Sequence, residues 1–431
     1  MNAEAAIAWL YGRQSLGIKL GLDKVRRLLA AVGDPQDGFR SIHVAGTNGK
    51  GSVTTLMAAT LRNAGHRVGH TTSPHLVHFR ERIQVDGASI DDAAIVRHVA
   101  ALQNACLPLD AEGQAPTFFE LVTALAFLHF QEAGVDWAVV ETGLGGRLDA
   151  TNVLAPELTI ITNVGRDHVG MLGDTPQDVA YEKGGIMKPG VPCVTAAKGP
   201  ALEVLKAISR ERRLPMSILG EDHHVVPELN GFRILRPDGE AHFDLKMAGA
   251  HQIDNAGLVV AATEALRQAG HDVPHQALAT ALAQTTLPGR METLLLEGPN
   301  GHVPVLLDGA HNEDGAAALR RHLADLDWAG FDLIVGFQAD KDWPRLLEAW
   351  QPIAARGWGV PLRSGRTLDP ERMRDAFDIV PFQVAPDARA ALQGAVDAGA
   401  ERIVVAGSLW LVGEARAALL GQGVEEIRGD Q

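Results

Sequence analysis

The sequence predicts an α/β fold in two domains: a larger N-terminal domain on a mostly parallel sheet, then a smaller C-terminal Rossmann-like α/β domain. Three observations predict it. Short apolar, β-branched runs alternate with helical stretches, the pattern of strand–helix–strand units. A glycine-rich turn stands directly behind the first strong strand. The alternation restarts after the connection Thr285-Thr286-Leu287-Pro288-Gly289-Arg290. A chain of 431 residues exceeds one typical core, so the domains are placed at 1–288 and 289–431, with Gly289 at a joint able to hinge.

In the first domain the strands are expected at Ser41–Ala45, Arg67–Thr71, Trp137–Glu141, Leu158–Asn163 and Val191–Thr195. Helices are expected at Thr54–Ala64, Phe118–Ala133, Gln177–Ile186, Ala201–Arg213, Ile253–Ala269 and His275–Gln284. The second domain alternates strands at Val303–Leu307, Leu333–Phe337 and Arg402–Gly407 with helices at Asp314–Leu326, Trp343–Trp350 and Trp410–Leu420.

The segment His43-Val44-Ala45-Gly46-Thr47-Asn48-Gly49-Lys50-Gly51-Ser52 has the build of a phosphate-binding loop. Glycines let backbone N–H groups close around phosphate oxygens, and the following helix N-terminus adds partial positive charge. Lys50 is placed to reach terminal phosphates and Ser52 to hold Mg²⁺. The first domain is therefore a P-loop ATPase domain with ATP and Mg²⁺ as expected cofactors. The spacing departs from G-x-x-x-x-G-K-[ST]: Val44 stands where the first glycine belongs and Gly51 where the hydroxyl belongs.

Composition bounds the rest. Hydrophobic residues make up 46% and charged residues 21%, as in ordinary globular proteins. The net charge of −14 argues against a general role on nucleic acid or at a membrane surface. Cys106 and Cys193 make no disulfide framework, the N-terminal residues lack a basic leader, and no apolar run is long enough to span a bilayer. A cytoplasmic location is expected.

Other constellations sit where strands end. Glu141-Thr142-Gly143-Leu144-Gly145-Gly146-Arg147-Leu148-Asp149 follows a strand, which aims Glu141 at a ligand crevice as a metal ligand, with Arg147 and Asp149 as polar anchors. Asp167-His168 follows the next strand in the same way, and His168 is a further metal candidate beside it. Thr71-Thr72-Ser73-Pro74-His75 and Phe79-Arg80-Glu81-Arg82-Ile83 read by themselves as surface turns. By itself Lys183 reads as a solvated helix-end cation, and Asp308-Gly309-Ala310-His311 faces a cleft between the domains.

Together these segments resemble the folylpolyglutamate synthase and dihydrofolate synthase family, a branch of the Mur ligase superfamily. The matching segments are H-V-A-G-T-N-G-K-G-S, T-S-P-H-L, F-R-E-R-I, T-F-F-E, E-T-G-L-G-G-R-L-D-A-T-N, D-H-x-x-x-L-G, E-K-G-G-I, H-Q-I-D-N, L-P-G-R-M-E, D-G-A-H-N and G-S-L-W-L-V-G-E-A-R, in order from 43 to 416. The resemblance implies an amide ligase: ATP phosphorylates a carboxylate, and L-glutamate attacks the acyl phosphate. It implies dihydropteroate and reduced folates as acceptors, and a monomer.

Residue roles follow from the same resemblance. Thr47, Asn48, Gly49, Lys50, Gly51 and Ser52 match the ATP loop; Ser52, Ser73, Glu141 and His168 match Mg²⁺-holding positions. Lys183 matches a carbamylated lysine, while Asn255, Arg290, Asp308 and His311 match ATP-contacting or catalytic positions. The pterin is expected near Gly17–Leu20 (Gly17, Leu20), Thr117–Glu120 (Thr117, Phe118, Phe119, Glu120) and Arg147–Asp149 (Arg147, Leu148, Asp149). Phe118 and Phe119 read equally well as helix core. Glu313 replaces a usual proline after D-G-A-H-N, Gly184 a frequent alanine, and Val164 and Arg166 vary an apolar stretch. The expected function is a bifunctional dihydrofolate synthase/folylpolyglutamate synthase, set against a monofunctional folylpolyglutamate synthase, a peptidoglycan-type Mur ligase and a non-catalytic nucleotide-binding regulator.

Overall fold

The computed structural model describes residues 1–17, 21–165, 171–237, 239–299 and 301–423. The chain forms two compact units, each discontinuous in sequence. Met1–Ser73, Arg80–Lys246 and Gln252–Thr285 form the first; Pro74–Phe79, Met247–His251 and Thr286–Gln431 form the second.

The first unit is organised by strands β1 (Arg40–Ala45), β2 (Val68–Thr71), β3 (Ile83–Val85), β4 (Ala88–Ser89), β5 (Trp137–Glu141), β6 (Leu158–Ile161), β7 (Cys193–Thr195) and β8 (Met216–Ile218). They lie in the order β4-β3-β2-β5-β1-β6-β7-β8, with parallel pairing except where β3 pairs antiparallel with β2 and β4 at one edge. The central strands β1, β5 and β6 are buried along nearly their whole length, which explains their continuous apolar runs. In register, Val44 pairs with both Glu141 and Ile160, so the ends of β5 and β6 flank the loop leaving β1. β9 (His224–Glu228), β10 (Gly231–Arg236) and β11 (Gly239–Asp244) form a separate antiparallel meander. Leu229-Asn230-Gly231 and Pro237-Asp238-Gly239 at its two connections are hairpin turn sequences, a signal the alternation pattern passes over.

The second unit has β12 (Glu292–Gly298), β13 (Gly301–Leu307), β14 (Phe331–Val335), β15 (Ala354–Gly359), β16 (Phe382–Val384) and β17 (Ile403–Ala406). Their order is β12-β13-β17-β14-β15-β16, with only β12 antiparallel. Helices cover both faces. Val305, Leu307 and Val405 pack with Leu392, Ala395 and Leu411, whereas Leu306, Leu333 and Val404 pack with Leu319, Leu346 and Trp350. Adjacent strand residues thus enter opposite cores.

The helices Phe118–Ala133, His275–Gln284 and Trp343–Trp350 have the expected bounds. The helix after the phosphate loop begins at Lys50, a turn earlier than expected, because helix propensity hides a start made of Lys-Gly-Ser. The helix Asp92–Ala111 was not expected; Asp91 caps it, but Pro108 interrupts its pattern. Cys106 and Cys193 are buried free thiols. Among the described residues no helix is long and apolar enough to cross a membrane.

Candidate active site

The loop at Gly46–Ser52 is built by long-range bonds as much as by its own sequence. Gly49 adopts φ 86°, open to glycine, and a Cβ there would run into the Asn255 amide. At Gly46 a Cβ would overlap the Thr162 hydroxyl. The segment after β6 grips the loop: Asn48 N–H donates to Asn163 Oδ1 at 2.9 Å, and the Thr162 hydroxyl donates to the Asn48 carbonyl at 2.6 Å. Thr47 exchanges bonds with Gly165, accepting its N–H at 2.9 Å. Lys50 lies across the loop and donates from Nζ to the carbonyls of Gly46 (2.9 Å) and Thr47 (3.1 Å). Ser52 is buried in the first turn of the helix Lys50–Asn63, whose dipole adds positive potential at the loop.

Glu141 ends β5 beside this turn. It is buried, and its Oε2 lies 3.7 Å from where a Cβ on Gly51 would stand. Glu141 and Ser73 line one small cleft, partly open to solvent, together with Thr71, Arg82 and Phe119. The Phe119 ring presses on Gly143, leaving no space for a Cβ there. Phe118 stacks on Tyr11 with centroids 5.2 Å apart and lies under the Arg82 guanidinium at 5.4 Å. So Phe118 is core and Phe119 is cavity wall. Arg82 belongs to the segment read by itself as a surface turn, a reading its 1% exposure overturns. Burial pulls it down to about 10, with Tyr11, Glu141 and Glu81 opposing. Its signal was a second arginine directly before the apolar start of β3, in F-R-E-R-I.

Lys183 is 3% exposed, which overturns its reading as a solvated helix-end cation. It stands in the last turn of the helix Pro176–Gly184 but turns inward, and its Nζ donates to the Gly46 carbonyl at 2.8 Å. Asn255 is buried behind the loop and donates to Gln252 at 2.9 Å. The loop, Glu141, Lys183 and Asn255 therefore come together at the C-terminal edge of the sheet.

Other sequence-selected residues serve the scaffold. Thr117 and Glu120 form a capping box for the helix Phe118–Ala133, and Lys24 pairs with Glu120 at 3.0 Å. Asp149 is buried and accepts the N–H groups of Gly143 and Leu144, both at 2.9 Å, and of Thr151 at 3.0 Å. Burial raises its carboxyl against those bonds. Arg147 pairs with Glu182 at 2.8 Å and covers Tyr181; Leu148 is half-buried beside it. Gly17 is exposed at φ 67°. Leu20, Asp167 and His168 lie outside the described residues.

In the second unit Asp308 follows β13 and is buried. Its two oxygens accept the N–H groups of Met291 (3.0 Å) and Ala310 (2.9 Å). Burial raises its carboxyl, while Arg290 and these amides pull it back. Met291 itself is left-handed at φ 49°. His311 donates from Nδ1 to the Gly309 carbonyl at 2.8 Å, which places a proton on Nδ1 and orients the ring. Asn312 caps the helix that Glu313 opens, so Glu313 occupies a first-turn position where an acid and a proline are both favourable.

The sequence matches the Mur ligase middle domain family over residues 44–263. It is 38% identical over 358 residues, 79% of this chain and 80% of the relative, to a Bacillus subtilis dihydrofolate synthase/folylpolyglutamate synthase. Its fold matches Mycobacterium tuberculosis folylpolyglutamate synthase complexed with ADP and AMPPCP, at TM-score 0.87 and 30% identity over 98% of this chain and 100% of that one. It also matches E. coli FolC in complex with DHPP and ADP, at TM-score 0.87 and 26% identity over 98% of each chain.

Proposed function

This chain belongs to the dihydrofolate synthase/folylpolyglutamate synthase family of Mur ligases, and on that premise we propose that it is a bifunctional ATP-dependent ligase adding L-glutamate to dihydropteroate and to reduced folates. The observation that carries this reading is the convergence of the phosphate loop, Glu141 and Lys183 at one sheet edge, beside the cavity walled by Phe119.

The chemistry follows from that arrangement. An oxygen of the acceptor carboxylate attacks the γ-phosphorus of ATP, and ADP leaves. The glutamate amine then attacks the acyl carbon, loses a proton, and phosphate departs from the tetrahedral intermediate to leave an amide. The loop N–H groups and the helix N-terminus hold the phosphates, and Lys50 offsets charge on the transferred group. Phe119 supplies a flat apolar wall for the pterin ring, with Arg82 charge beside it.

Mg²⁺ fits the donor set here, since the Glu141 carboxylate and the Ser52 and Ser73 hydroxyls are the hard oxygen ligands that ion prefers. It would neutralise phosphate charge. His168 is assigned to the same metal role. Carbamylation of Lys183 adds CO₂ to the neutral amine with loss of a proton, giving a buried anion close to the loop. We assign the nucleotide and pterin sites to 1–288 and the glutamate-ligase role to 289–431, with Arg290, Asp308 and His311 in the second domain and Asn255 behind the loop. The enzyme acts as a monomer in the cytoplasm.

A steady-state assay with dihydropteroate, L-glutamate and MgATP tests the reading, with dihydrofolate as the expected product. Turnover of tetrahydrofolate without dihydropteroate would instead assign a monofunctional folylpolyglutamate synthase. For Lys183, an unmodified mass together with full activity of Lys183→Ala would remove the carbamate.

A further inference from the structure

Two packed helices bring a second set of ligating side chains together, outside the site above. His98 belongs to the helix Asp92–Ala111, while His129 and Glu132 stand one turn apart on the helix Phe118–Ala133. One ligand atom from each lies within 4.8 Å of the others. His98 Nε2 is 2.9 Å from Glu132 Oε2, yet this buried nitrogen forms no aligned hydrogen bond. The His129 Nδ1 is likewise buried with no hydrogen-bond partner. The two rings meet edge to face at 6.0 Å. A buried imidazole nitrogen without a partner, next to a second histidine that faces a carboxylate, is uncommon and suits a shared cation.

We propose that His98, His129 and Glu132 form a binding site for a transition-metal dication of the Zn²⁺ class, with water completing the coordination. The donor set is mixed nitrogen and oxygen, which such ions take in preference to Mg²⁺. Tetrahedral coordination at ~2.1 Å sets ligand atoms about 3.4 Å apart, inside the 4.8 Å within which these three now lie. Arg97 donates to Glu132 at 2.6 Å from the solvent side and orients the carboxylate. The ion would tie the Asp92–Ala111 helix to the helix whose other end carries Phe119 in the cavity wall.

The test uses the full chain, stripped with a chelator and returned to excess Mg²⁺, then titrated with Zn²⁺ against a chromogenic competitor. Wild type is expected to bind a Zn²⁺ ion that His129→Gln and Glu132→Gln lose or bind about tenfold or more weakly. Both variants should keep ligase turnover, which shows that they fold. Zn²⁺ should raise the melting temperature of wild type and leave both variants unmoved. Unchanged Zn²⁺ binding in the variants, or no binding by wild type in excess Mg²⁺, overturns the proposal.

Discussion

Each of the two larger, mostly parallel sheets places an acid at the C-terminal end of a strand, and the two acids meet different surroundings. Glu141, at the end of β5, lies beside the first turn of the phosphate-loop helix and lines a cavity. Asp308, after β13, accepts one backbone N–H on each oxygen and thereby holds Met291 in a left-handed conformation. The sequence signature is similar: an apolar strand, an acid, then glycine within two residues. The two backbone donors tie the Asp308 carboxylate to its own loop. On this comparison we propose that Glu141 serves the phosphate and metal end of the site, and that Asp308 holds in place the loop that carries Arg290 and His311.

The sharpest break of the comparison comes from truncating the first site. Glu141→Ala and Lys50→Ala should each lower turnover by roughly a hundredfold or more with melting temperature unchanged. Near-normal rates would remove the metal and phosphate assignments. Gly49→Ala should act next, raising the KM for ATP by about tenfold, because the new Cβ meets Asn255 and φ 86° is strained for alanine. Initial-rate kinetics against ATP decide it, and an unchanged KM would contradict the cradle.

Asp308→Asn should destabilise the protein by about 1–3 kcal/mol, since an amide cannot accept both N–H groups. Urea unfolding measures this. A Glu141-sized loss of turnover at full stability would place Asp308 in the chemistry and erase the distinction between the two acids.

A further effect is a pH dependence located in the first sheet. Burial lowers His43 to about 3, with Lys188 adding to it, and His70 to about 4, with Arg62 adding to it. The unfolded chain binds these protons near pH 6.5 and the native chain does not. Stability is therefore full above that value and falls as pH drops toward 4, by about 1.4 kcal/mol per pH unit for each histidine. Urea titrations at pH 7 and pH 5 should show this loss, and His43→Gln should reduce the slope. An unchanged slope in His43→Gln would remove His43 from the account.

Legibility followed the range of the interactions. The helix Phe118–Ala133 was readable at both ends because a Thr117–Glu120 capping box starts it and Gly134 stops it. The parallel sheets were readable because buried central strands are apolar on both faces. The phosphate loop was readable as a motif, whereas its support from Thr162 and Asn163, over a hundred residues away in sequence (|i−j| 114 and 115), was not. From local sequence alone Lys183 and Arg82 both read as surface residues for the same reason: neither is distinguishable from a surface cation until tertiary packing buries it. Asp308 gave its position in sequence but not its amide partners, one of which lies across the β12–β13 hairpin.

The central claim is transfer of a phosphoryl group onto the acceptor carboxylate at the Glu141 side of the comparison. It is tested most directly with dihydropteroate carrying ¹⁸O in its carboxylate, turned over with L-glutamate and MgATP. The account predicts that the released phosphate carries one labelled oxygen, with the other retained in the new amide. Product formation with unlabelled phosphate would contradict it.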